Sequence, residues 1–186
     1  MLSTMKKYIP VFIAIFGLSF YLVSQGVFNF GDPTATTASK QVKQTKHFEK
    51  MLSSFKGTTR DGKELQSKDL PKVVILNFWA SWCTPCLEEF PSLVAFQEKY
   101  KEKGALVIGI NTDEVGDRKD VDKAIKKYKL NFPVILDKDG KFINDFLVNA
   151  IPISIVYKDG KVQEVSQGSK DFMAAEFTES VDKWLK

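Results

Sequence analysis

The sequence predicts an α/β domain on a central mixed sheet flanked by helices, preceded by one transmembrane helix. Three observations predict it: an uncharged apolar run near the N-terminus, near-continuous apolar strands separated by helical patterns, and a closing hairpin followed by a helix. The chain has 186 residues, enough for one ordinary domain and some extra segments. Its 44% hydrophobic and 27% charged residues are globular, not disordered, composition. A net charge of +4, evenly interleaved, is too weak for a nucleic-acid footprint, and no nucleic-acid partner is expected. With 2 cysteines and 1 histidine, neither a disulfide-dense scaffold nor a four-ligand zinc site is possible. The expectation is no metal and no cofactor.

Residues 8–31 carry no charge, and their densest part runs from Ile9 to Val23. A span needs roughly 20 mostly apolar residues, and Pro10 falls in the first turn, where its missing N–H costs little. Lys6 and Lys7 precede the run, and nothing basic follows before Lys40. The positive-inside bias therefore makes residues 1–7 cytoplasmic and residues 8–31 a transmembrane anchor, with the remainder exported. The alternative is a cleaved signal peptide. Ser24-Gln25-Gly26 is a poor cleavage site, and Thr36-Thr37-Ala38 lies far past the apolar run. No cysteine follows the run closely enough for a lipid anchor. Both readings export the domain.

Residues 32–47, with Val42 as their only large aliphatic side chain, read as a flexible stalk, and the domain as residues 48–186. His47 sits where the two meet. It reads as a solvated linker residue and not a base or ligand, since no Cys, Asp or Glu cluster surrounds it at ligand spacing.

Within the domain, Phe55 to Leu65 reads as a hairpin with Asp61-Gly62 at its turn. Val73 to Trp79 is a strand buried on both faces. A helix is predicted from Thr84 to Lys103, opened by Pro85 and closed by Gly104, with Leu87, Phe90, Leu93, Val94 and Phe96 facing the core. Pro91 predicts a kink in it. Ala105 to Ile110 is a second buried strand, and Asp117 to Leu130 a helix whose Lys119, Lys123, Lys126 and Lys127 form a solvated face. Val134 to Leu136 is a short strand. Ile153 to Tyr157 and Val162 to Val165 flank the turn Lys158-Asp159-Gly160-Lys161, and Asp171 caps a final helix to Leu185. There is no internal repeat.

The chemistry lies at Cys83-Thr84-Pro85-Cys86. Two cysteines two residues apart at a strand-to-helix junction form a dithiol that can close a small ring. The helix N-terminus offers unpaired N–H groups and partial positive charge to Cys83, favouring the thiolate that attacks disulfides. Cys86, one turn in, reads as the more buried, resolving thiol. Zinc sites use the same spacing but want a second pair, which is missing.

Asn77-Phe78-Trp79-Ala80-Ser81-Trp82-Cys83-Thr84-Pro85-Cys86 resembles the active-site segment of the thioredoxin superfamily. The wider pattern resembles its membrane-anchored TlpA/ResA-like thiol-disulfide oxidoreductases. It includes Asp61-Gly62-Lys63, Lys68-Asp69-Leu70, Glu88-Glu89-Phe90-Pro91, Gly109-Ile110-Asn111 with Glu114, Asn131-Phe132-Pro133-Val134 and Ile151-Pro152. The resemblance covers about residues 50–186. It implies a thioredoxin fold with an N-terminal β-hairpin and an inserted segment, in a bacterial single-pass membrane protein whose domain lies outside the cytoplasm. It also implies that Pro152 is a cis-proline facing the cysteines, leaving the Ile151 backbone to pair with an extended client segment.

Thioredoxin itself carries a buried aspartate where Asn77 stands, and an amide cannot take a proton. The TlpA/ResA-like branch places an acid three residues after the second cysteine, which is Glu89 here. Cys86 and Glu89 share a helix face, so a partly buried Glu89 is expected to exchange the Cys86 proton. Its bland alternative is a first-turn helix acid, a role already filled by Glu88. Glu114 matches a second family acid, with Asp113 beside it as a competitor. Trp82 and Pro85 are expected to shape the surface around Cys83, while Trp79 and Phe78 serve the core.

The function expected from the resemblance is reduction of disulfides in exported proteins, such as the haem-attachment cysteines of apocytochrome c, with a transmembrane thiol donor restoring the dithiol. A disulfide-forming oxidase uses the same groups in reverse. A copper chaperone is a third reading, set back by the tight cysteine spacing and remote His47. A peroxidase lacks its Thr-x-x-Cys.

Overall fold

The computed structural model describes residues 9–24, 33–114 and 118–186. They divide into two compact units, up to Val42 and from Lys43 onward. In the first, α1 (Ile9–Ser24) is a 16-residue apolar helix with Ile15, Phe16, Leu18, Phe20 and Tyr21 exposed. Sixteen residues rise only about 24 Å, short of the roughly 30 Å hydrocarbon core of a bilayer. Among the described residues no helix is long and apolar enough to cross a membrane, which differs from the span expected over residues 8–31. Residues 1–8 and 25–32 lie outside the described residues.

A helix, α2 (Pro33–Ser53), stands where composition predicts a flexible stalk. Pro33 opens it, no further proline or glycine interrupts it, and Ala, Lys and Gln are good helix formers. In the second unit its last turns are tied down by packing, because Phe48 and Leu52, four residues apart, are both buried. The Tyr157 hydroxyl donates to the Phe48 carbonyl at 3.2 Å, and Lys161 pairs with Glu49 at 3.0 Å. His47 is half-buried with Nε2 2.7 Å from the Asp145 carbonyl, so it is a docked residue and not a solvated linker.

The sheet of the second unit comprises β3 (Val73–Trp79), β4 (Ala105–Asn111), β5 (Val134–Leu136), β6 (Ile153–Lys158) and β7 (Lys161–Gln167). Its spatial order is β5-β4-β3-β6-β7. β3, β4 and β5 run parallel, while β6 is antiparallel to both β3 and β7. A parallel pair needs a crossover, supplied by α3 (Thr84–Tyr100) between β3 and β4 and by α4 (Arg118–Tyr128) between β4 and β5. Every residue of β3 is buried, as a central strand covered on both faces requires. The hairpin of β1 (Lys56–Thr58) and β2 (Glu64–Gln66) turns at Gly62, whose φ of 88° suits glycine.

Alternation along β3 divides the core in two. Val73, Ile75 and Trp79 pack under α3, α4 and α6 (Ala175–Leu185), together with Phe90, Phe96, Phe177 and both cysteines. Val74, Leu76 and Phe78 pack on the opposite face with Phe48, Phe55 and α5 (Lys141–Asp145). Gly109 packs closely on Trp79: a Cβ there would sit 3.0 Å from the indole nitrogen and 3.3 Å from the Phe132 ring, so a larger residue would require these rings to give way.

Boundaries differ from the sequence reading by one to a few residues in several elements, among them the end of α3 and the start of α6. Lys101–Lys103 is a 3₁₀ turn ending at Gly104 with φ 95°, so the α-helix stops at Tyr100. Asp171 accepts from the Met173 N–H ahead of α6, and the helix itself begins behind Ala174. Pro91 lies inside α3 on its exposed side, and the helix continues past it.

Candidate active site

β3 ends at Trp79, and the chain turns through Ala80-Ser81-Trp82 into α3 at the edge of the first core. Asp113, beyond the end of β4, sets this turn. It is 6% exposed, and both its carboxyl oxygens accept from the Ser81 N–H at 3.0 Å, while Asn111 Nδ2 donates to it at 3.1 Å. The expected Glu114 is exposed. Asp113, which the sequence marks only as a competitor, is the acid built into the site's frame.

Cys83 occupies the N-cap of α3, and the N–H groups of Cys86 and Leu87 point back to its carbonyl at 3.0 and 3.1 Å. Its sulfur therefore sits at the positive end of the helix dipole. Cys83 and Cys86 are joined in a disulfide with Cα atoms 5.3 Å apart. Cys83 keeps 5% exposure and Cys86 none, the asymmetry expected of an attacking and a resolving thiol. Trp82 beside them is 69% exposed and Pro85 is also exposed, so an apolar surface borders the pair. The Ile151–Pro152 peptide is cis; Pro152 is buried, and half-buried Ile151 packs against the core cluster that holds both cysteines.

Glu89 lies one turn beyond Cys86 and is 2% exposed, unlike exposed Glu88. Asn77 Nδ2 donates to its Oε1 at 2.5 Å, and the Lys170 N–H to its Oε2 at 3.4 Å. Burial pushes the carboxyl up to about 7, and these two donors partly oppose the rise. Such a group changes charge near neutrality, which suits proton exchange with a thiol. Asn77 Nδ2 also donates to Ser154 Oγ at 2.9 Å. Sequence reasoning misses Ser154, although a serine within the apolar run Ile153-Ser154-Ile155 is a readable signal of a polar partner across the sheet.

Among the described residues no group of three or more His, Cys, Asp or Glu is placed to hold a metal ion. The arrangement offers a dithiol at a helix start, an internal carboxyl that titrates near neutrality, and an apolar rim.

The AhpC/TSA family model matches residues 48–165. A thiol-disulfide oxidoreductase ResA of Bacillus cereus is 42% identical over 117 residues, covering 62% of this chain and 66% of that protein, just under two thirds. Thiol-disulfide oxidoreductase ResA of Bacillus thuringiensis subsp. konkukian is 37% identical over 139 residues, covering 74% of this chain and 76% of that protein. The crystal structure of a thiol:disulfide interchange protein of the thioredoxin family from Chlorobium tepidum TLS superposes with a TM-score of 0.62 at 30% identity. That match covers 72% of this chain and 94% of the other.

Proposed function

Since this chain belongs to the AhpC/TSA family and is a ResA-like thiol-disulfide oxidoreductase, we propose that it reduces disulfides in exported proteins, with Cys83 as nucleophile and Cys86 as resolving thiol. The observation that carries the reading is a buried carboxyl, Glu89, one helical turn from the buried sulfur of a dithiol pair whose other sulfur sits at a helix start.

In the reduced protein the Cys83 thiolate attacks one sulfur of a client disulfide. The client S–S bond breaks, one client thiolate leaves, and a mixed disulfide forms. Glu89 takes the proton of Cys86, whose thiolate attacks Cys83 Sγ. The mixed disulfide breaks, the second client thiolate leaves, and the Cys83–Cys86 bond closes. Two electrons have passed to the client, whose thiolates take protons from water. A transmembrane thiol donor restores the dithiol. Exposed Trp82, Pro85 and half-buried Ile151 supply the landing surface for an extended client segment.

The client class is exported proteins with a strained or exposed disulfide, the haem-attachment pair of apocytochrome c being the member proposed. The domain works outside the cytoplasm, held to the cell membrane by residues 8–31, whose lack of charge supports that placement. Carbonate washing of membranes from cells expressing the full chain is expected to leave it in the pellet. A soluble product starting after Ala38 would show cleavage instead. Direction is tested by the reduction potential against glutathione. A strongly reducing value supports the reductase, and one near the about −120 mV of strong oxidants makes the protein a disulfide-forming oxidase.

A further inference from the structure

We propose that Ser154 and Ser166 are positioning residues for Glu89, parts of a polar row across the sheet that holds the Asn77 amide with its nitrogen, not its oxygen, toward the carboxyl. The inference deepens the proposed function and rests on the reading of Glu89 as acceptor of the Cys86 proton.

The strand register lays out the row. Asn77 on β3 is opposite Ser154 on β6, and Ser154 is opposite Ser166 on β7. Residues directly opposite share a face. The paired Ile75 and Val156, two positions away on their strands, both lie in the core cluster under α3, so the row faces α3 and Glu89. One Asn77 Nδ2 hydrogen reaches Glu89 Oε1 and the other Ser154 Oγ. Asn77 Oδ1 and Ser166 Oγ are buried with no hydrogen-bond partner among the described residues.

The two ends of an amide are nearly alike in size, so packing does not choose between them; the neighbours do. A serine hydroxyl both donates and accepts. Ser154 accepts from Asn77 Nδ2 only when its own proton is turned elsewhere. Ser166 Oγ, across the strand pair and without a hydrogen-bond partner among the described residues, is the acceptor in that direction through one bridging water. Without the Ser166 hydroxyl, the Ser154 proton turns to the amide and draws Asn77 Oδ1 round to receive it. Oδ1 then faces Glu89 and stabilises the protonated carboxyl in place of the carboxylate.

Few other groups bear on Glu89. Its own helix contributes Cys86 one turn before it and exposed Glu88. β3 and β6 contribute uncharged Asn77 and Ser154, and the segment after β7 contributes the Lys170 N–H. The Lys170 ammonium is held by Glu164 and lies 4.2 Å from the Phe177 ring centre. With Cys86 in the disulfide, a shift of the Glu89 midpoint reports on the row.

The test is a ¹³C NMR titration of the Glu89 carboxyl in the oxidised full chain, with Ser154→Ala, Ser166→Ala and Ser154→Thr beside the parent. Both alanine variants are expected to raise the midpoint by about half a unit to one unit, while Ser154→Thr stays near the parent. The acidic limb of reductase turnover should move with it, because Glu89 must be ionised to take the Cys86 proton. Alanine midpoints within ~0.2 units of the parent overturn the inference, as does a threonine variant that shifts as far as the alanine one. The two readings fail separately. An undiminished rate in Glu89→Gln removes the proton-transfer role, and the NMR midpoints still decide the row.

Discussion

The Asn77 amide nitrogen and a Glu89 carboxyl oxygen stand 2.5 Å apart in the protein interior, across a strand-to-helix contact twelve residues apart in sequence. Glu89 is thereby buried and hydrogen-bonded at once. Burial lifts it to about 7 and the amide restrains the rise, which leaves a carboxyl whose affinity for a proton lies closer to that of a thiol than an exposed glutamate's does.

Glu89→Gln keeps the shape and removes the titrating group. Reductase turnover is expected to fall about 10- to 100-fold, within the range of general acid–base help, while Glu88→Gln on the exposed side changes little. Equal, small losses in both variants would leave Glu89 as a helix-dipole acid. Stopped-flow reduction of a peptide disulfide measures both.

The same carboxyl makes stability pH-dependent. Its folded value of about 7 exceeds the ordinary 4.5, so between these values the folded state binds more protons than the unfolded. Stability from this group is present below about 4.5 and lost as pH rises through about 7. Relative to the parent, Glu89→Gln should gain up to about 3 kcal/mol between pH 4.5 and about pH 8.5. Urea unfolding at the two pH values checks the sign, and a relative loss would contradict it.

Cys83 should be alkylated before Cys86. It retains exposure and sits at the N-cap of α3, whereas the Cys86 sulfur is enclosed. Limiting iodoacetamide on the reduced protein, followed by peptide mass analysis, reads the order; Cys86 modified first would reverse the roles. Cys86→Ala is expected to accumulate mixed disulfides through Cys83.

Asp113→Ala leaves the Ser81 N–H and Asn111 amide without their acceptor. A loss of about 1–3 kcal/mol in stability is expected, more than for Glu114→Ala on the exposed neighbour, which should stay within about 0.5 kcal/mol. Chemical denaturation of the two variants separates them.

Asp137 is expected to matter for α5, because its two carboxyl oxygens accept from the Phe142 and Ile143 N–H groups at 2.9 and 2.8 Å. Asp137→Ala should cost about 0.5–2 kcal/mol, as loss of a helix cap does. Thermal unfolding that matches the parent would show the cap to be dispensable.

Much of this is legible in the chain itself. The apolar run of β3, the glycine turns, the placement of two cysteines at a helix start and the shared face of Cys86 and Glu89 are local patterns, set by sequence spacing and backbone geometry. The helix at residues 33–53 is not legible, because polar composition favours a stalk reading while the contacts of Phe48 and Leu52 come from residues far along the chain. α5 escapes notice for a related reason: five residues carry too little periodicity, and its cap, Asp137, precedes it by several positions.

By itself, then, the sequence determined which groups carry the chemistry, since a dithiol two residues apart and an acid one turn later depend only on helical spacing. What it could not decide was the environment of those groups. How completely Glu89 is enclosed, whether Asp113 or Glu114 braces the loop, and whether Asn77 meets Ser154 follow from strand order and cross-strand register. The Asn77–Ser154 pairing joins residues 77 positions apart, and burial, which sets the charge a carboxyl will hold, is a property of the packed whole.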